Sequence, residues 1–231
     1  MKTSQTKVVG KHPVVRMARR AAVCLLLSLI AVLVLPALAG CSRPPELDTV
    51  RDRFGELIEA SGEVNDLLWG EGLPYYEKDS DFAKEHGLYE GISQNLGGYR
   101  FVKREALEAY PSVEDIRAAA EAVYSSEFLS DVGASLFEGN MITTGEISMV
   151  SRARYAEINQ NLCILVDWDK GFEYHRPTYD LSTMQIVKKL SSADIVTVTV
   201  ECVRDDREAP FTVTLRFVSQ DGDWRLDSPT Y

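Results

Sequence analysis

The chain has 231 residues and a formal charge of −10, from 25 Lys and Arg against 35 Asp and Glu. Six of the cations (Lys2, Lys7, Lys11, Arg16, Arg19, Arg20) fall in residues 1–40, which hold no acid, so residues 41–231 carry 19 cations against 35 acids, a charge of −16. Such a body repels phosphate and argues against a nucleic-acid partner; its length suits a single core, and all 21 Phe, Trp and Tyr lie beyond residue 40, against an acidic disordered tail.

Residues 1–20 are basic and residues 21–40 are uncharged, with an almost unbroken apolar run from Cys24 to Leu35. A basic flank before an apolar run is the pattern of a secretory signal, because cations are costly to move across the bilayer. About 20 uncharged residues also suffice to span a membrane, so an uncleaved anchor is the competing reading. Leu38-Ala39-Gly40-Cys41 separates the two. It resembles the lipobox of bacterial lipoproteins, an aliphatic residue and two small ones before a cysteine. The resemblance implies diacylglycerol on Cys41, cleavage after Gly40, a discarded signal at 1–40 and a lipidated tether at 41–46. The chain is then held on the extracytoplasmic face of the cell membrane. Pro44-Pro45 would break a continuous anchor helix, and two acyl chains meet the requirement for stable anchoring. Arg19-Arg20 also fits a twin-arginine signal, although adjacent arginines are common in such leaders.

Residues 46–69 show helical spacing: Leu47, Val50, Phe54 and Leu57 share a face that Ile58, Val64 and Leu68 continue past a weak point at Ser61-Gly62. Residues 70–110 are weakly periodic and rich in Gly and aromatics; they are either a binding region or structure that periodicity does not reveal. Within them 99–102 reads as a short strand and 81–85 as one helical turn. Ser112-Val113-Glu114-Asp115 reads as an N-cap with acids in the first turn, and Val113, Ile116, Ala120 and Val123 form the stripe that follows. A third helix is expected over 127–137.

After residue 147 the period falls to 2. Strands are expected at 149–158, 161–168, 182–190, 195–204, 211–218 and 224–228, joined by short turns. The expectation is one α+β domain over 47–231: helices in 47–140 packed on a curved antiparallel meander in 147–231. That order resembles the cystatin-like and NTF2-like cone folds, but departs from the NTF2-like order because every helix precedes every strand.

With Cys24 discarded and Cys41 lipidated, Cys163 and Cys202 remain, either bonded between neighbouring strands or as two buried thiols. No C-x-x-C is present, and His86 and His175 have no ligand spacing, so no metal or other cofactor is expected. Asp79/Asp81, Asp167/Asp169, Asp205/Asp206 and Asp221/Asp223 have the look of acid–base pairs. They are also standard turn residues in an acid-rich chain. There is no G-x-S-x-G elbow and no phosphate loop, and the expectation is a non-enzyme. The strongest surface candidate is the loop 167–180, where Trp168, Phe172, Tyr174, His175, Arg176 and Tyr179 gather residue types enriched at protein–protein contacts. The alternative is that Trp168 and Phe172 fold back to cap the sheet.

Gly98-Tyr99-Arg100-Phe101-Val102, Tyr110 through Ile116, Tyr124 through Phe128 and Arg154 through Asn159 resemble the exported DL-endopeptidase inhibitors and their lipoprotein relatives in Gram-positive bacteria. The resemblance covers residues 98–168 and implies a modulator of a wall hydrolase, with no inhibitory residue carried over. The functional expectation is a lipid-anchored extracytoplasmic binding domain acting on an envelope protein or wall component. Its rivals are an enzyme or small-ligand binder with a pocket inside the sheet cone, and a structural module of an envelope complex.

Overall fold

The computed structural model describes residues 43–90, 97–144, 147–168 and 171–231. The expected signal, Cys41 and Asp169 lie outside them. Among the described residues no helix is long and apolar enough to cross a membrane. Pro44 to Tyr231 form one unit.

Helix α1 (Leu47–Leu68) buries Val50, Phe54, Leu57, Ile58, Val64 and Leu68 along the expected stripe. The Ser61-Gly62 weak point does not break it. The Ser61 hydroxyl donates to the Ile58 carbonyl at 2.6 Å, and Gly62 leaves space for a guanidinium, since a Cβ there would lie 2.8 Å from Arg176 Nη2. The helix ends where the Trp69 and Gly70 N–H groups both donate to the Asn65 carbonyl.

Residues 70–110 are folded in the described part. Tyr76 N–H donates to the Phe101 carbonyl and Lys103 N–H to the Pro74 carbonyl. The segment holds α2 (Asp81–Glu85), capped by Ser80, and β1 (Tyr99–Phe101). Its Tyr89, Tyr99 and Phe101 join Ala83 and Cys163 in a second, smaller core. Helix α3 (Val113–Val123) begins at the expected Ser112 cap. Helix α4 (Ser126–Gly133) follows, with Ser125 Oγ accepting from the Phe128 N–H at 3.0 Å. A π turn over Ala134–Glu138 then ends at Gly139.

The single meander expected over 147–231 is instead divided among three antiparallel sheets. Among the described residues β2 (Asn140–Thr144) and β3 (Ile147–Ser151) pair only with each other. The strand expected at 149–158 is two strands, because the Arg154 N–H donates to the Leu136 carbonyl and the chain crosses to another sheet. There β4 (Tyr155–Ile158) turns through Asn159 and Gln160, both with positive φ, into β5 (Asn161–Leu165). β5 is central, between β1 and β4. Residues 166–177 separate β5 from β6, and the two do not pair.

The third sheet is a true meander: β6 (Thr178–Ile186), β7 (Ile195–Val203), β8 (Phe211–Gln220) and β9 (Asp223–Leu226) in that order. β6 starts at Thr178 rather than 182, and Lys188–Leu190 is a 3-10 turn rather than strand. The register sets Val196 against Phe217, Val198 against Leu215, Val200 against Val213 and Cys202 against Phe211. Alternation puts these pairs on one face. Helix α1 packs there: the Phe54 ring stacks on Phe217 with centroids 3.9 Å apart and meets Trp224 edge-on at 5.3 Å. The inner face of this curled sheet is therefore filled by side chains. Each fully buried Phe, Leu or Val there contributes about 1.5–3 kcal/mol. The α+β class holds; the single-meander arrangement does not.

The bonded alternative for Cys163 and Cys202 also fails. Both are buried free thiols, on β5 and β7 of different sheets. Each behaves as a small apolar side chain, and burial pushes the Cys163 thiol up to about 11.

Candidate functional site

The aromatic loop between β5 and β6 meets the end of α1 and the last residues of the chain. Asp66, near the end of α1, is the common acceptor. Tyr174 Oη donates to Asp66 Oδ1 at 2.8 Å and Arg176 Nη1 to Asp66 Oδ2 at 2.5 Å. Burial, and then the neighbouring carboxylate, push the Tyr174 hydroxyl well above the ordinary phenol range, so it stays a donor. The Arg176–Asp66 pair is half-exposed and contributes orientation more than stability.

Trp168 is partly buried against the main core. The Arg154 guanidinium lies 5.3 Å from its ring centroid and 5.8 Å from that of Tyr155. Arg154 is itself buried, and its Nη2 donates to the Gly70 carbonyl at 2.7 Å. Trp168 thus does fold back, as the capping alternative has it. Phe172 does not: it is 39% exposed, and one face of its ring stacks on Tyr231 at 5.2 Å. Tyr231 in turn stacks on Trp69 at 4.3 Å.

The C-terminal segment is docked rather than frayed. Thr230 is 2% exposed. Its Oγ1 lies 2.8 Å from Asn65 Nδ2, 2.7 Å from Tyr124 Oη and 2.8 Å from Ser61 Oγ. Tyr179 Oη donates to the Thr230 carbonyl at 3.0 Å, tying β6 to the same strap.

His175 faces the β7–β8 turn. Its Nδ1 lies 2.8 Å from Asp205 Oδ1, and its Nε2 lies 3.7 Å from Glu173 Oε2. His175, Asp205 and Asp206 offer ligand atoms within 4.8 Å of one another, a grouping that no sequence spacing suggested. The Arg204 fork already takes both oxygens of Asp206, at 2.9 and 2.8 Å, and its hydrogen bonds hold that carboxyl below the usual range. Arg204 therefore competes with any cation, and the arrangement is a hydrogen-bonded clasp between the loop and the turn. Another tempting acid, Asp223, is held by Arg53 and Arg225 at about 2, which makes it an ion-pair partner and no proton donor near neutral pH.

An open cavity of about 500 Å³ lies against this assembly, lined by Asp66, Gly70, Glu71, Gly72 and Tyr174. Of the six loop residues, Trp168, Tyr174, His175, Arg176 and Tyr179 each have a protein partner. Phe172 alone among them is a large exposed apolar side chain. The partners Asp66, Trp69, Thr230 and Tyr231 were not legible in the loop itself. The one signal for them was the presence of Ser61 and Asn65 on the apolar stripe of α1. Comparison with protein-family models, with curated proteins and with solved structures finds no match.

Proposed function

We infer that this chain is a lipid-anchored, extracytoplasmic binding domain without catalytic activity, attached to the membrane through Cys41. Its contact surface is the loop around Phe172, and its partner is an envelope protein or wall component. The observation that carries the reading is that five of the six candidate residues are held by protein partners while Phe172 stands exposed on an aromatic stack. A surface ordered before encounter loses little entropy on binding, and an aromatic anchor is the usual centre of a contact hot spot. The filled inner face of the β6–β9 sheet favours this reading over an enzyme with a pocket inside the cone. A long helix seated in a curled sheet supports the cystatin-like or NTF2-like assignment. The resemblance over residues 98–168 makes a wall hydrolase the partner class to test first.

Two measurements test it. Labelled palmitate should enter the parent chain and not Cys41→Ala; equal labelling of both removes the anchor. A photo-crosslinking residue at Phe172 should capture one partner in whole cells, whereas the same residue at Leu190, exposed but outside the loop, should not. Equal capture at both positions removes the loop from the account.

A further inference from the structure

We propose that the second core carries a binding site for a small aromatic carboxylate, separate from the loop and independent of the anchoring reading. A cavity of about 260 Å³ opens beside β1, with walls that include Tyr76, Phe101, Val102 and Leu107. Cavities for drug-sized ligands run about 300–1,000 Å³, so this one suits a single ring system. One side is an aromatic ladder. Tyr76 and Phe82 stack at 4.5 Å and 11°, and Phe82 and His86 at 4.0 Å and 21°. Phe82 and His86 are four residues apart at α2 and its C-terminal cap, which sets them one above the other. His86 Nδ1 lies 2.9 Å from the Phe82 carbonyl; it donates there and the ring orientation is fixed. Phe82 is 41% exposed, so the ladder is open to solvent on that side.

The rim supplies the charge preference. Although residues 41–231 carry 19 cations against 35 acids, no acid lines this cavity among the described residues, while Arg104, His86 and Asn161 do. Arg100 nearby is engaged by Glu77 at 3.6 Å, whereas the Arg104 guanidinium has no carboxylate partner among the described residues. Asn161 gives one amide hydrogen to the Asn159 carbonyl at 2.9 Å, which leaves its second to donate. A ring buried against Phe101 and Leu107, with its carboxylate at Arg104 and Asn161, uses each of these groups. A neutral aromatic leaves the cation unused, and a ringless anion leaves the apolar walls wet.

The full chain is titrated with indole-3-acetate by saturation-transfer NMR, with indole and acetate as controls. Indole-3-acetate should bind with a Kd of about 1 mM or tighter, indole several-fold more weakly, and acetate should not compete. Phe82 and Arg104 are both exposed, so their variants keep the fold. Phe82→Ala should weaken the acid and indole alike, and Arg104→Ala should weaken the acid about five- to tenfold and leave indole unchanged. The proposal is overturned by absence of transfer from indole-3-acetate at about 5 mM, by equal affinity for indole and its acid, or by an Arg104→Ala chain that binds the acid as the parent does.

Discussion

Replacing Thr230 by Val removes one hydroxyl from the centre of the strap while keeping the side-chain shape. Thr230, Ser61, Asn65 and Tyr124 are each no more than 2% exposed, so water cannot replace a lost partner. Asn65 Nδ2 loses its acceptor at 2.8 Å, and an unsatisfied buried donor costs about 1–3 kcal/mol. Ser61 keeps its bond to the Ile58 carbonyl, and Tyr124 keeps its bond to Asn65 Oδ1, so neither adds a second orphan. The new methyl group returns about 0.8 kcal/mol. The net loss is about 0.2–2 kcal/mol, centred near 1 kcal/mol, which for a domain of this size lowers the melting temperature by about 2–4 °C. Burial holds the Tyr124 hydroxyl far above its ordinary range, so the loss is the same from pH 6 to pH 9, roughly the span in which an unperturbed phenol stays protonated. The assay is thermal unfolding followed by circular dichroism, with Thr230→Ser as the companion that keeps the oxygen and gives up the methyl. A Thr230→Val chain that melts within about 1 °C of the parent, or that outlasts Thr230→Ser, refutes the polar network as the fastening of the strap.

Phe54→Ala should cost about 3–5 kcal/mol by urea unfolding, since it removes a ring stacked on Phe217 and edge-on to Trp224; a loss below about 1 kcal/mol would mean that α1 does not seat in the sheet. Gly72 has φ +77°, and a Cβ there would lie 2.5 Å from Ile164 Cδ1 and 2.6 Å from Arg154 Nη2, whereas Gly222, φ +83°, has nothing within 4 Å. Gly222→Ala should therefore cost only the backbone term, about 1–2 kcal/mol, and Gly72→Ala clearly more; equal losses would contradict the packing under the Gly70–Gly72 turn. Arg53 and then Arg225 depress Asp223 to about 2, below the unfolded value, so the stability it contributes is present above about pH 4 and is lost as pH falls toward 2. Asp223→Asn should thus destabilise at pH 7, by about 1 kcal/mol or less because the carboxylate is 45% exposed, and the difference from the parent should fade in acid. A difference that grows as pH falls would reverse the sign of that argument.

The elements that could be read from the sequence are those long enough to repeat their own period. Helix α1 shows its stripe over six turns, and β7 and β8 alternate Val196, Val198, Val200 and Phe211, Val213, Leu215, Phe217 through their length. The elements of residues 70–110 are three to five residues long, shorter than one period window, so Tyr89, Tyr99 and Phe101 give no repeat although they form a core. The break between β3 and β4 was hidden for a different reason. No Gly or Pro marks Arg152-Ala153-Arg154; the strand ends because a backbone partner at Leu136 competes for it, and a tertiary hydrogen bond leaves no local signature.

The candidate site divides along the same line. Composition located the loop, because Trp, Phe, Tyr, His and Arg in one short segment are unusual whatever they touch. Composition does not separate a side chain left exposed from one that holds the loop, because Phe172 and Trp168 are chemically alike and differ only in what lies beneath them. That difference comes from Arg154 under Trp168 and Tyr231 under Phe172, both outside the loop. Helix α1 did carry half of the answer. Ser61 and Asn65 stand between Ile58 and Leu68 on a stripe that is otherwise apolar, and buried polar groups require partners. The helix therefore states that something polar must arrive, while Thr230, 165 positions from Asn65, lies beyond the reach of any periodicity. The strap that fastens the loop is legible in the sequence as an unmet hydrogen-bonding demand on α1, and only the fold says which residue meets it.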